Sequence, residues 1–112
     1  MFYENTSLIA APQLPATTLA DNCYFRMFRY CSSLTDAPLL PAPTLANYCY
    51  YQIFANCSSL SSMNVNFTYT DGDMTYYWLQ NVAAAGTFTC PTGASIRRGD
   101  SGIPNGWSIV YK

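Results

Sequence analysis

The chain has 112 residues, enough for one domain with a modest core. Charged residues make up 10% and aromatics 16%, ten of them Tyr, and the formal net charge is −1. This excludes compositional disorder and, with five scattered cations, an electrostatic footprint for nucleic acid. No apolar run approaches the roughly 18 residues that span a bilayer, so no membrane insertion is expected. The absence of His removes His-based triads and His-ligated metals.

Met1-Phe2-Tyr3-Glu4-Asn5 has neither the basic segment nor the apolar stretch of a signal peptide. The organising signal is a repeat with an offset of 26, which aligns Leu8, Leu34 and Leu60 (34 − 8 = 26 and 60 − 34 = 26). Pro12 and Pro38, Leu14 and Leu40, Leu19 and Leu45, Cys23 and Cys49, Tyr24 and Tyr50, Phe28 and Phe54, and Cys31 and Cys57 keep the same offset. The register fails after Val65. These matches divide the chain into a truncated repeat (1–7), full repeats (8–33 and 34–59), a partial third from 60, and a C-terminal cap (67–112).

Within each repeat a short, imperfect strand is expected first, carried by Leu34, Ala37 and Leu39 in the second copy, with Pro38 removing a backbone donor. A helix is expected next, over 19–30 and 45–56, where Gly and Pro are absent. Leu19, Cys23, Met27 and Cys31 recur at helical spacing, as do Leu45, Cys49, Ile53 and Cys57. Thr18-x-x-Asp21 and Thr44-x-x-Asn47 read as imperfect capping boxes, a hydroxyl cap with a short polar residue at the third helical position. No unit can bury its apolar face alone, so the units are expected to stack.

The strings "MFRYCSSL" and "IFANCSSL", followed by Leu34, Ala37, Leu39, Pro41 and Leu45, resemble the signature of BspA-like leucine-rich repeats over residues 1–66. The repeat is longer than the family's usual length of about 23, and Ala replaces its preferred Ile. The resemblance implies an α/β fold: a leucine-rich-repeat-like solenoid of about two and a half strand–helix repeats with a mixed α/β C-terminal cap. It also implies bacterial proteins at the cell surface or secreted, with the signal upstream of this fragment, that bind host or microbial surface proteins or glycans without catalysis.

In the cap, Asp71-Gly72-Asp73 is a turn and helix start, Met74–Ala85 a helix, and Gly86 its left-handed C′ residue. Thr87–Cys90 and Trp107–Tyr111 read as strands, the latter with Trp107, Ile109 and Tyr111 on one side. The strings "WLQNVAAAGTF" and "GIPNGW" resemble caps that follow such repeats in proteins of gut anaerobes and their phages.

Candidate sites are few. Cys23, Cys31, Cys49 and Cys57 read as buried core thiols. Stacked helices about 8–10 Å apart would hold equivalent cysteines beyond disulfide reach. No zinc-ligand spacing is present, and neither a metal nor any other cofactor is expected. Arg98-Gly99-Asp100 is an RGD tripeptide, with an ordinary polar turn as its plainer reading. Asp71 and Asp73 lack the further oxygen ligands of a calcium loop. Glu4 is the only Glu, and no His can activate a thiol, so no enzyme is expected.

Tyr24-Phe25 and Tyr50-Tyr51 occupy equivalent positions. Adjacent residues cannot both face one core, so Tyr24, Tyr50 and Tyr51 are the candidate exposed binding residues, with shielding between repeats as the alternative. The function expected is a non-catalytic binding module for adhesion. The alternative is a structural spacer or docking element of a phage tail or virion protein. The uncapped N-terminal end is expected to self-associate through residues 1–20.

Overall fold

The computed structural model describes residues 4–14, 16–70, 73–99 and 101–112. Three strands form one parallel sheet in the order β1 (Ser62–Asn64), β2 (Gly86–Cys90), β3 (Trp107–Tyr111). Isolated parallel bridges extend the pairing, Asp36 with Ser62, Leu40 with Val65, and Tyr69 with Ser95. Partners are offset by 26 in Asp36–Ser62 and Tyr69–Ser95, and by 25 in Leu40–Val65 and Ser62–Thr87. The offset shortens to 21 between β2 and β3, which pair Gly86 with Trp107.

There is no α-helix among the described residues, which overturns the strand–helix solenoid. The segments expected to be helical are instead ribbons of consecutive tight turns, over 21–30, 47–56 and 73–81. Alternate residues of each ribbon close local turns: Cys23, Phe25, Met27 and Arg29 donate their N–H groups three residues back. The residues between them donate across to the next ribbon. Asn22, Tyr24, Arg26, Phe28 and Tyr30 bond to the carbonyls of Asn47, Cys49, Tyr51, Ile53 and Ala55 at 2.9–3.1 Å. Tyr50, Gln52, Phe54 and Asn56 do the same to Met74, Tyr76, Trp78 and Gln80. Backbone donors are thus satisfied without helical bonds.

This alternation needs a left-handed residue every fourth position. Asn22, Arg26 and Tyr30 have φ of 60°, 54° and 63°, and Tyr48, Gln52 and Asn56 have 55°, 48° and 62°. Tyr77 and Asn81 continue the series at 45° and 57°. Asn tolerates this conformation best among residues with a Cβ. Asn81 Nδ2 also donates to Asn56 Oδ1 at 2.8 Å, joining two such positions.

The capping boxes therefore have no helix to cap, and Asp21 Oδ1 instead accepts from the Asn47 N–H of the next ribbon at 3.2 Å. The helix expected over Met74–Ala85 is the third ribbon and its exit. Gly86 starts β2 rather than ending a helix. Asp73 lies in a turn, whereas Asp71 and Gly72 fall outside the described residues.

The core runs between the ribbons and the sheet. Phe28, Leu34, Leu40, Ile53, Phe54, Leu60, Phe67, Trp78 and Phe88 are fully buried. Each contributes about 1.5–3 kcal/mol from burial. Leu34 and Leu60 close the same turn, onto Cys31 and Cys57, that Leu8 closes onto Asn5. Leu8 itself is partly buried against the same cluster. The last, shortened coil ends the stack with side-chain bonds. Trp78 Nε1 donates to Gly102 C=O and Trp107 Nε1 to Ala83 C=O, both at 2.8 Å. Thr75 Oγ1 donates to Ser101 C=O at 2.6 Å, and Ser101 Oγ accepts from Tyr77 N–H at 3.2 Å. The radius of gyration is 12.4 Å, against about 13 Å for a globular chain of this length, so the body is compact rather than rod-like.

In far-ultraviolet circular dichroism the folded chain is expected to show strand and turn signals without a helical minimum at 222 nm. Packing around β2 gives a second check. Gly86 admits no side chain, because a Cβ there would lie 2.5 Å from Ser61 O and 2.6 Å from Trp107 Cε2. Gly86→Ala is expected to lower stability by about 2 kcal/mol, measured by denaturant titration.

Candidate functional site

The ribbons carry side chains in columns, because facing residues on hydrogen-bonded neighbours sit about 4.8 Å apart. One column lies inside: Phe28 stacks on Phe54 with centroids 5.5 Å apart and planes 5° from parallel. A second inner column stacks Tyr24 on Tyr50 at 6.0 Å, and Trp78, which faces Ile53 on the neighbouring ribbon, also packs on the Tyr50 ring at 6.3 Å. A third lies at the surface. Phe25 stacks on Tyr51 at 4.6 Å, and Tyr51 on Tyr76 at 5.0 Å. Tyr48 meets Tyr51 edge-on at 6.0 Å, and Tyr77 meets Tyr76 edge-on at 4.5 Å.

Arg26 flanks this outer strip. Its guanidinium lies 5.1 Å from the Phe25 ring centroid and 5.7 Å from that of Tyr51, within cation–π range. Its Nε donates to Gln52 Oε1 at 2.9 Å, which fixes the head beside the strip. Phe25, Tyr48 and Tyr76 are exposed, and Tyr51 is half-buried between them.

The three candidate tyrosines thus separate. Tyr51 belongs to the outer strip. Tyr24 is half-buried on the inner column. Tyr50 is fully buried, and its hydroxyl has no hydrogen-bond partner among the described residues. Burial drives the Tyr50 phenol far above its ordinary range, so it stays protonated. Phe25, Tyr48 and Tyr76 complete the strip. The signal for Phe25 was its equivalence to Tyr51 at the repeat offset, but Tyr76 lies beyond the point where the sequence register fails.

Arg98 of the RGD tripeptide is exposed, but its guanidinium is tied back onto the chain. Its Nη1 donates to the carbonyls of Pro104, Asn105 and Trp107 at 3.0, 3.2 and 2.8 Å, which gives it a structural task. Asp100 lies outside the described residues. Beside Arg98 is a cavity of about 490 Å³ lined by Tyr69, Thr70, Ser95, Arg97, Ser101 and Gly102. Near the other end of the chain, Ile9 is 73% exposed, within the segment expected to self-associate; Met1, Phe2, Tyr3 and Pro15 are outside the described residues.

The five cysteines are free thiols, Cys23 half-buried and the others buried. Cys57 Sγ donates to Phe28 C=O at 2.9 Å. Cys23 lies opposite Cys49 on adjacent ribbons, and Cys31 opposite Cys57, as the cross-ribbon bonds of Tyr24 and Tyr30 set the register. The wider spacing of stacked helices does not apply to them. Among the described residues, no group of three Cys, Asp or Glu side chains could hold a metal ion, and no helix is long and apolar enough to cross a membrane. No family model, curated relative or solved structure matches this chain.

The buried thiols impose a pH dependence. Burial pushes the Cys49 thiol from its ordinary 9.0 up to about 11 and the Cys57 thiol up to about 12. Below pH 9 the folded and unfolded chains both keep these protons. Above it the unfolded chain loses them first, so stability falls as pH rises towards each folded value, by about 1.4 kcal/mol per pH unit per thiol. Urea titrations between pH 8 and 11 are expected to show this decline, and Cys49→Ala is expected to make it shallower.

Proposed function

We propose that this chain is a non-catalytic binding module, acting at a bacterial cell surface or after secretion, that engages a protein partner through the outer aromatic strip. The observation that carries the reading is the registered stack of Phe25, Tyr51 and Tyr76, edged by Tyr48 and Arg26, on a hydrogen-bonded scaffold. Large aromatics held in fixed rotamers lose little entropy on binding and supply much of the contact energy at protein interfaces.

The geometry favours protein over glycan. Tyr51 has a ring stacked on each face, Phe25 on one and Tyr76 on the other. At Tyr51 the strip therefore offers a ring edge and a phenolic hydroxyl, whereas a sugar would pack against an open ring face. A partner with aliphatic groups and hydrogen-bonding backbone matches such edges. Continuous ladders on both sides of the core also support the spacer reading, in which the strip only shields the ribbons.

Selection of displayed protein domains on the immobilised chain separates these readings. Tyr51→Ser and Tyr76→Ser are expected to weaken the selected binders by at least about tenfold while the thermal unfolding transition stays cooperative. Binders unaffected by both changes count against the strip, and a chain that yields none supports the spacer.

A further inference from the structure

The facing pair Cys23 and Cys49 stands apart from the surface strip. Tyr24 N–H donates to Cys49 C=O at 3.1 Å, which places Cys23 opposite Cys49 on the neighbouring ribbon. The flanking rings keep the same register, Tyr24 on Tyr50 and Phe25 on Tyr51. Facing positions on hydrogen-bonded parallel segments lie about 4.8 Å apart, inside the span of about 4.4–6.8 Å that a disulfide bridges between Cα atoms. The two sulfurs also sense one another, since a charge on Cys23 disfavours ionisation of Cys49. Cys23 is half-buried, so a reagent can reach it, whereas Cys49 is buried.

Cys31 and Cys57 provide an internal contrast. Tyr30 N–H bonds to Ala55 C=O at 2.9 Å and sets this pair in the same facing register. Both are fully buried, and the Cys57 thiol is held by Phe28 C=O. Neither sulfur is open to a first attack. Cys90 is buried on β2, away from the ribbons.

We propose that Cys23 and Cys49 are a reversible dithiol–disulfide site that staples the first ribbon to the second, oxidised by exchange with a small-molecule disulfide. The Cys23 thiolate attacks one sulfur of the reagent, forming a mixed disulfide and releasing one reagent thiol. The Cys49 thiolate then attacks the Cys23 sulfur and releases the second. Two protein thiols lose two electrons and two protons in total, and the reagent disulfide becomes two thiols. Closing this bond ties the first ribbon to the core by a covalent link as well as by hydrogen bonds, which restricts the unfolded chain.

The test uses the whole chain under native conditions with oxidised glutathione at pH 8, followed by blocking with N-ethylmaleimide, digestion and mass spectrometry. The expected product is a Cys23–Cys49 linked peptide with Cys31, Cys57 and Cys90 still blockable after denaturation, fully reversed by dithiothreitol. The oxidised chain unfolds at a higher temperature than the reduced one. Cys49→Ser should stop at a glutathione adduct on Cys23, and Cys31→Ser should leave the link unchanged. The wild-type peptide map decides the matter even where a variant does not fold. A stable glutathione adduct on wild-type Cys23, a link through Cys31, Cys57 or Cys90, a covalent dimer, or five unmodified thiols would each overturn the assignment.

Discussion

The structure depends on how each ribbon divides its backbone hydrogen bonds. In the first two ribbons every second N–H closes a turn within the ribbon, and every other one crosses to the next. An α-helix would spend all of them internally, and neighbouring helices would meet only through side chains, about 8–10 Å apart. Here the crossing bonds pull neighbours to the spacing of a β-ladder. That single difference turns positions one repeat apart in sequence into direct neighbours in space. The aromatic columns, the Asn56–Asn81 bond and the facing cysteines are all consequences of it.

The arrangement has a conformational cost. Residues with a Cβ in the left-handed region are disfavoured by roughly 1–2 kcal/mol each, and the ribbons hold one at every fourth position. The crossing bonds and the buried rings offset that cost, and they do so only while coils are stacked. An isolated ribbon would have neither. Shielding at the C-terminal end accordingly falls to groups with strong directional bonds, the two indoles and the Thr75 and Ser101 hydroxyls, where no further ribbon supplies carbonyls.

Much of this was legible in the sequence, and the misread portion has a definite physical cause. The period, the equivalence of Leu34 with Leu60 and of Phe28 with Phe54, and the Trp107–Tyr111 strand all follow from residue identities alone. The helices did not, because a ribbon whose conformation repeats every fourth position presents inward side chains at i, i+4 and i+8. Over three such steps that pattern is hard to tell from a helical period of about 3.6. Leu19, Cys23, Met27 and Cys31 fit both. The discriminating marks were Asn22 and Asn56, polar residues that tolerate a left-handed backbone, placed where a helix gains nothing from them. The third ribbon was hidden for a different reason. Its offset shifts from 26 to 25, as the pairing of Tyr51 with Tyr76 shows beside that of Phe25 with Tyr51, and its side chains match the earlier copies poorly.

The same geometry decides which tyrosines meet solvent. Adjacency alone required one member of each pair to leave the core, but choosing between them needed the true backbone. In the ribbon, Tyr50 turns inward onto Phe67 and Trp78 while Tyr51 turns outward. Once outward, Tyr51 is not an independent anchor, because its two faces are already covered by Phe25 and Tyr76. What reaches solvent at Tyr51 is a ring edge held between Phe25 and Tyr76, with Arg26 beside it. A partner reading that edge reads the alignment of three successive coils at once, so any change that slips one coil against the next alters the whole contact surface, even where no contacting residue is replaced.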